Sequence, residues 1–67
     1  MNKEDLGDLI RTKRLNKLMT QKALAEKAGL SRSYLAEIEK GTYNISALLL
    51  FKIADSLDVD LNFFMKK

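Results

Sequence analysis

The stretch that decides the fold runs from Thr20 to Gly41 and reads TQKALAEKAGLSRSYLAEIEKG. Thr20 is a good helix N-cap, because its hydroxyl can accept a hydrogen bond from an amide of the first turn. Gly29 can take the left-handed conformation that ends a helix, and Ser31 offers a second N-cap soon afterwards. This stretch therefore predicts two short helices joined by a tight glycine turn.

Apolar residues recur at helical spacing through both predicted helices. Neither helix is long enough to be stable alone, so the two should pack against each other as a helix-turn-helix at about residues 20–39. The small side chain of Ala25 permits a close crossing. The residues expected to face inward are Leu24, Ala25, Ala28, Leu30, Leu35 and Ile38.

Helical periodicity also dominates the flanking segments, and no segment alternates convincingly enough to predict a strand. A first helix is expected from Asn2 or Lys3 to about Lys17, with an apolar side of Leu6, Leu9 and Ile10. A fourth helix should begin after the cap Ser46 and bury a stripe of Ala47, Leu50, Ile53, Ala54 and Leu57. The prediction is an all-α fold.

A short fifth helix, capped by Asp60, is expected to turn Leu61, Phe64 and Met65 inward. Loops of two to six residues join five helices into a compact bundle. With 67 residues and no linker, we expect residues 1–67 to form a single domain. A domain of this size buries only about 60% of its unfolded surface, so dimerisation would stabilise it.

The composition narrows the function classes. The chain has no histidine and no cysteine, which excludes a disulfide framework and a thiolate metal site. It also lacks a glycine-rich phosphate loop and a convincing metal cluster, so we expect no enzyme activity, no cofactor and no metal. No apolar run reaches transmembrane length and the N-terminus is acidic and mixed, which predicts a cytoplasmic protein without a membrane partner.

The net charge is only +3, but the charges are unevenly distributed. Residues 11–32 contain seven lysines or arginines against the single acid Glu26, whereas acids gather near both ends. A basic middle is the distribution expected of a surface that binds phosphates. The alternative is an ordinary solvated surface rich in lysine.

Three segments of the chain resemble the phage-repressor and Cro type of helix-turn-helix domain, also called lambda-repressor-like. They are LIRTKR at 9–14, the stretch 20–41 quoted above, and NISALLLFKIADSLDVDLNFF at 44–64. The run T-Q-x-x-L-A-x-x-A-G-L-S followed by I-E-x-G is highly specific, and the resemblance covers Leu6 to Met65. It implies a five-helix DNA-binding domain whose third helix enters the major groove.

The resemblance also implies roles for individual residues. At the start of the third helix, Arg32, Ser33 and Tyr34, with Glu37 one turn on, would face base edges. Arginine can donate two hydrogen bonds to guanine, and glutamate can accept one from cytosine. The positions implied to hold the DNA backbone are Gln21, Lys40, Thr42, Tyr43 and Asn44. The alternative for Arg32 and Glu37 is a solvated helix surface, and the alternative for Tyr34 is a side chain that covers the edge of the core.

Arg14 and Glu39 occupy positions where this family often forms a partly buried ion pair between the first and third helices. Three residues depart from the family pattern, of which Ile45 replaces a frequent proline. Leu18 stands where a glycine or asparagine with positive φ is common, and Lys13 stands where an aliphatic residue usually packs, so its stem is expected to lie along the core.

The fourth and fifth predicted helices carry more apolar residues than a core-facing stripe requires. The resemblance implies two-fold dimers on two-fold related DNA sites, and exposed apolar patches usually mark interfaces. We therefore expect a homodimer interface made by Leu48, Leu49, Phe51, Leu61 and Phe63. The alternative is that some of these side chains complete a small core.

The predicted function is sequence-specific binding of double-stranded DNA by a homodimeric transcription regulator that blocks or recruits RNA polymerase. The resemblance leaves open a controller of a restriction-modification system and a phage or mobile-element repressor. A third reading, from another class, is a protein-interaction module such as an antitoxin or regulator subunit.

Overall fold

A computed structural model describes residues 2–65, which form five helices and no strand within that range. The helices are α1 (Lys3–Asn16), α2 (Gln21–Ala28), α3 (Arg32–Lys40), α4 (Ala47–Ser56) and α5 (Asn62–Met65). The predicted all-α, five-helix fold is therefore confirmed.

Helix boundaries follow from side-chain caps. Thr20, Ser31 and Ser46 each accept a hydrogen bond from the amide three residues later, at 3.0, 3.1 and 3.1 Å. These bonds satisfy amides that the first turn of a helix leaves without a backbone partner. Gly29 and Gly41 end α2 and α3 with φ values of 77° and 82°, a conformation that glycine adopts without strain.

The core is a single apolar cluster to which all five helices contribute. Its largest fully buried side chains are Ile10, Leu24, Leu35, Ile38, Ile53, Leu57 and Phe64. Two predictions about the core are wrong. Ala47 lies in the first turn of α4 and is exposed, and Met65 at the end of α5 is 62% exposed.

Helix α1 crosses the C-terminal half of α3 at very short range. A Cβ atom added at Gly7 would clash with the carbonyl oxygen of Ile38 and would lie 2.9 Å from that of Glu39. A Cβ at Gly41 would lie 2.7 Å from the Cα of Glu4. Two glycines, one on each side of the crossing, therefore set how closely α1 and α3 approach.

Within residues 2–65, two residues other than glycine have positive φ, Leu18 at 58° and Asp58 at 57°. Leu18 lies in the turn between α1 and α2, where the family pattern predicts a left-handed residue. Its side chain is 93% exposed, so the strained conformation is not offset by burial. Aspartate tolerates this conformation better than leucine does.

Candidate nucleic-acid interface

The first turn of α3 faces solvent, whereas its later turns are anchored in the core. Arg32, Ser33 and Tyr34 are exposed, and the Ser31 hydroxyl caps the helix by accepting from the Tyr34 amide. Leu35 and Ile38 are buried on the opposite side. The structure thus presents three of the four residues assigned to base reading as one accessible group at the helix N-terminus.

The last turn of α3 is fixed by an ion pair with α1. Arg14 Nε lies 2.7 Å from Glu39 Oε2, and Arg14 Nη2 donates to Glu39 Oε1 at 3.1 Å. Arg14 Nη1 also donates to the carbonyl of Met19 at 2.8 Å. The two side chains are 8% and 2% exposed, so this is a buried bidentate pair whose polar atoms are satisfied.

Gln21 connects this ion pair to the exposed turn of α3. Its Nε2 donates to Glu39 Oε1 at 3.1 Å, and its Oε1 accepts from Arg32 Nη1 at 3.4 Å. The sequence predicts only a contact between Gln21 and the DNA backbone, and these two contacts within the protein were not predicted. Gln21 and Glu39 are 18 residues apart, so no helical spacing could have revealed them.

Glu37 lies one turn beyond Arg32 and is half-buried. Its carboxylate accepts from the hydroxyl of Thr42 at 3.1 Å and from Lys40 Nζ at 3.4 Å. Lys40 and Thr42 are themselves exposed. The structure therefore pairs one residue assigned to base reading with two residues assigned to the DNA backbone.

The loop after α3 is also tied to the helix through aromatic rings. The rings of Tyr34 and Tyr43 lie 5.5 Å apart between centroids, tilted by 55°, and both side chains remain substantially exposed. Asn44 is exposed beside them in the sequence. Such an aromatic pair keeps the loop close to the first turn of α3.

The predicted dimer surface on α4 and α5 is only partly exposed. Leu48 and Phe51 are 65% and 54% exposed, whereas Leu49, Leu61 and Phe63 are half-buried and pack against the core. Phe63 meets Phe64 edge-to-face at 5.2 Å. The unpartnered apolar surface is therefore carried by Leu48 and Phe51.

Lys13 lies along the edge of the core, as predicted from the sequence. It is half-buried, and its Nζ lies 5.1 Å from the centroid of the Phe63 ring. A cation over an aromatic face is an attractive contact. Lys13 thus links α1 to α5 through a residue that is predicted to lie at the dimer interface.

Two further features concern the part of the chain that the structure describes. No group of three or more acidic, histidine or cysteine side chains there is arranged to hold a metal ion. None of its helices combines the length and the apolar character that crossing a membrane requires.

Two short helices joined by a glycine turn, with the first turn of the second helix exposed, form the arrangement found in helix-turn-helix DNA-binding regulators. A family model described as "Helix-turn-helix" matches residues 10–64. The chain belongs to this helix-turn-helix family, and the family predicted from the sequence is confirmed.

Two of the similar curated proteins come from a bacteriophage. The chain is 44% identical over 57 residues to the "ImmF control region 10 kDa protein" of Bacillus phage phi105, and equally to the "Immunity repressor protein" of the same phage. Each match spans 85% of this chain, but it covers only 63% of the first protein and 40% of the second. The chain therefore spans less than two thirds of the length of either relative.

Similar solved structures include regulators close to the chain in length. The restriction-modification controller protein C.AhdI from Aeromonas hydrophila has a TM-score of 0.88 at 33% identity, covering 91% of this chain and 88% of that one. The clp gene regulator ClgR from C. glutamicum has a TM-score of 0.90 at 32% identity, over 94% and 82% of the two chains. The fold is thus that of known transcription regulators.

Proposed function

We propose that this protein is a transcription regulator that binds operator DNA as a homodimer, with the first turn of α3 in the major groove. The observation that carries the proposal is the division of α3. Its N-terminal turn exposes Arg32, Ser33 and Tyr34, and its C-terminal turn is fixed through Glu39. A side chain that reads bases needs this combination of access and fixed orientation.

The charge distribution supports the same function. Arg32 and Lys40 are exposed on α3, and Lys17 and Lys22 are exposed near the start of α2. Cationic side chains and helix N-termini both bind DNA phosphates. In this proposal residues 2–65 act as one DNA-binding domain in the cytoplasm, with Gln21, Thr42, Tyr43 and Asn44 completing the contacts to the backbone.

The dimer part of the proposal rests on Leu48 and Phe51. Two large apolar side chains that are more than half exposed on one helix favour contact with a second copy. A two-fold dimer would place two α3 helices on successive major-groove faces, about 34–36 Å apart. The protein would then bind two-fold related half-sites.

Repression is the proposed direction of control, because the 44% identity to a phage immunity repressor supports it. The alternative context is control of a restriction-modification system. It is favoured by the likeness to the controller protein C.AhdI, because that likeness extends over 88% of C.AhdI. Recruitment of RNA polymerase would accompany activation rather than repression, and a reporter gene behind the selected operator distinguishes the two.

Selection of bound sequences from a random DNA pool tests the proposal directly. We expect a two-fold symmetric site whose affinity falls steeply as salt rises. Arg32→Ala should lower discrimination at one base pair of each half-site by about 1–3 kcal/mol. The matched control is Arg11→Ala, which removes an exposed arginine from α1 and should leave the selected sequence unchanged.

Two results would contradict the proposal. If Arg32→Ala bound every selected sequence as tightly as the unmodified protein, α3 would not read bases through this residue. If no sequence were enriched and binding did not depend on salt, a protein-interaction module such as an antitoxin would become the better explanation.

A further inference from the structure

The carboxylate of Glu37 is an unusual group to find on a surface proposed to meet DNA. A negative charge near phosphates weakens binding unless the carboxylate keeps a hydrogen-bond donor. In the free protein Glu37 has two donors, the Thr42 hydroxyl at 3.1 Å and the Lys40 ammonium at 3.4 Å. Both donors belong to the residues proposed to hold the DNA backbone.

The end of α3 places these donors beside the carboxylate. Gly41 adopts φ 82° and turns the chain back, so that the Thr42 amide donates to the carbonyl of Glu37 at 3.1 Å. This backbone bond brings the Thr42 side chain next to that of Glu37. Lys40 is three residues after Glu37 and therefore lies on the same face of the helix.

The donors cannot satisfy Glu37 and a phosphate equally well at the same time. The Thr42 hydroxyl has a single hydrogen to donate. Lys40 Nζ has three, but it gives up part of its electrostatic attraction for DNA while it is paired with a carboxylate. Transfer of both donors to phosphate would leave Glu37 buried in the interface without a partner, which is costly for a charged group.

Base edges in the major groove can supply the missing donor, but only from some bases. Cytosine offers its N4 amino group and adenine its N6 amino group, whereas guanine and thymine present acceptors at the corresponding positions. A groove that places an amino group opposite Glu37 therefore satisfies the carboxylate, and the other bases leave it unpaired or repel it.

We propose that Glu37 determines specificity by an exchange of donors that couples base reading to phosphate binding. On operator DNA a base amino group donates a hydrogen bond to the Glu37 carboxylate, and Thr42 and Lys40 are then free to donate to phosphates. On other DNA, Glu37 keeps Thr42 and Lys40, and the backbone loses two contacts. Specificity then arises largely from weakened binding to wrong sequences. This inference rests on the proposed function, since it requires α3 to lie in the groove.

The decisive variant is Glu37→Gln, which preserves size but removes the charge and no longer demands an amino group. Binding to the selected operator and to an unrelated duplex is measured by fluorescence anisotropy over a range of salt concentrations. We expect the variant to bind the unrelated duplex about tenfold more tightly, and the ratio of the two affinities to fall accordingly. The salt dependence on the unrelated duplex should steepen by about one unit, because Lys40 becomes available to a phosphate.

Glu26→Gln is the matched control, because Glu26 is an exposed acid on α2 with the same charge. It reports the effect of removing one negative charge from the protein without altering the proposed exchange. If Glu37→Gln changed both affinities only as much as Glu26→Gln did, simple charge repulsion would account for the result and the inference would be wrong.

Thr42→Val tests the phosphate contact of the exchange separately from base reading by Glu37, because it removes the hydroxyl and keeps the shape of the side chain. The inference requires it to weaken operator binding several-fold more than it weakens binding to the unrelated duplex, because on that duplex the hydroxyl stays with Glu37. Equal weakening on both duplexes would refute the exchange.

Repeating the random-pool selection with Glu37→Gln identifies the base involved. A preference for cytosine or adenine at one position of each half-site should disappear, and failure to lose any such preference would also refute the inference. Arg32→Ala tells the two proposals apart. If it alters specificity while Glu37→Gln does not, only the donor exchange fails, whereas no effect from either variant overturns the proposed function itself.

Discussion

The contact between α1 and α3 and the outer face of α4 and α5 are built in opposite ways. The α1–α3 contact is tight and polar at its centre, with Gly7 against the backbone of α3 and a buried Arg14–Glu39 pair. The α4–α5 face is apolar and incomplete, with Leu48 and Phe51 more than half exposed. The α1–α3 contact is completely packed within the monomer, whereas the α4–α5 face leaves apolar surface exposed that a second copy would cover.

This difference matches two separate requirements of the proposed dimeric regulator. The orientation of the reading helix has to be set within each subunit, because an error there displaces every side chain that meets a base. Association of subunits can remain reversible, because operator occupancy then responds to protein concentration. Variants in the two regions should therefore change different properties, and the following predictions are ordered by the size of the expected effect.

Glu39→Ala should have the largest effect, since it leaves Arg14 buried without its carboxylate partner. Breaking a buried ion pair from one side typically costs about 3–5 kcal/mol, and operator affinity should fall because Gln21 loses its partner as well. Thermal unfolding followed by circular dichroism measures the loss. Glu26→Ala, at an exposed position, is the control and should change stability little. An unchanged melting temperature in both Glu39→Ala and Arg14→Ala would contradict the assigned role.

Gly7→Ala tests the close approach of the two helices. Helix propensity alone predicts that alanine stabilises α1 by up to about 1 kcal/mol relative to glycine. The new methyl group would collide with the carbonyl oxygen of Ile38, so we expect a net loss of about 1–3 kcal/mol instead. The free energy of unfolding in urea should therefore fall if the clash dominates and rise if helix propensity dominates. Asp8→Ala, at an exposed position on the same helix, is the control for helix propensity.

The double variant Leu48→Ser, Phe51→Ser should affect association rather than folding. Because both side chains are mostly exposed, the free energy of unfolding of the monomer should change by less than about 1 kcal/mol. Sedimentation equilibrium at micromolar concentrations should show a shift from dimer to monomer. Leu15→Ser, at a leucine of α1 that is 46% exposed, should leave the dimer intact. A monomer at high micromolar concentration without any substitution would remove the basis of this prediction.

Leu18→Gly should have the smallest effect, and in the stabilising direction. Leucine at φ 58° is strained, and its 93% exposed side chain contributes little burial. Relief of the strain, less the greater flexibility of glycine in the unfolded chain, should raise stability by about 0.5–1 kcal/mol. Leu18→Ala keeps a Cβ at the same φ and should bring no such gain in chemical denaturation. A gain of equal size in both variants would show that strain is not the cause.

Much of the fold could be predicted from local signals. Thr20, Ser31 and Ser46 are capping residues followed by apolar residues at helical spacing, and the two glycine stops are equally local. The two wrong predictions of burial concern Ala47 and Met65, which lie at the ends of helices. Met65 falls on the last residue of the four-residue α5, where the helical pattern does not determine which way a side chain faces.

The candidate site was less predictable, because its contacts join distant parts of the chain. The resemblance paired Arg14 with Glu39, but nothing in the spacing indicated that Gln21 would bridge Glu39 and Arg32. Gly7 did carry a signal, since a glycine inside a helical pattern often marks close packing. Which backbone it packs against depends on the arrangement of α1 and α3, and that arrangement is a property of the folded domain.

The division of α3 has a consequence for how this scaffold can be reprogrammed. Its C-terminal end packs against α1 through Glu39 and Gly41. By contrast, Arg32, Ser33 and Tyr34 are exposed and contribute little to the core. In the proposed mode of binding, substitutions at these three positions would therefore alter operator preference at small cost in folding free energy. Libraries that vary only this turn would retain a folded protein in most members, which makes the domain a suitable starting point for regulators with new target sequences.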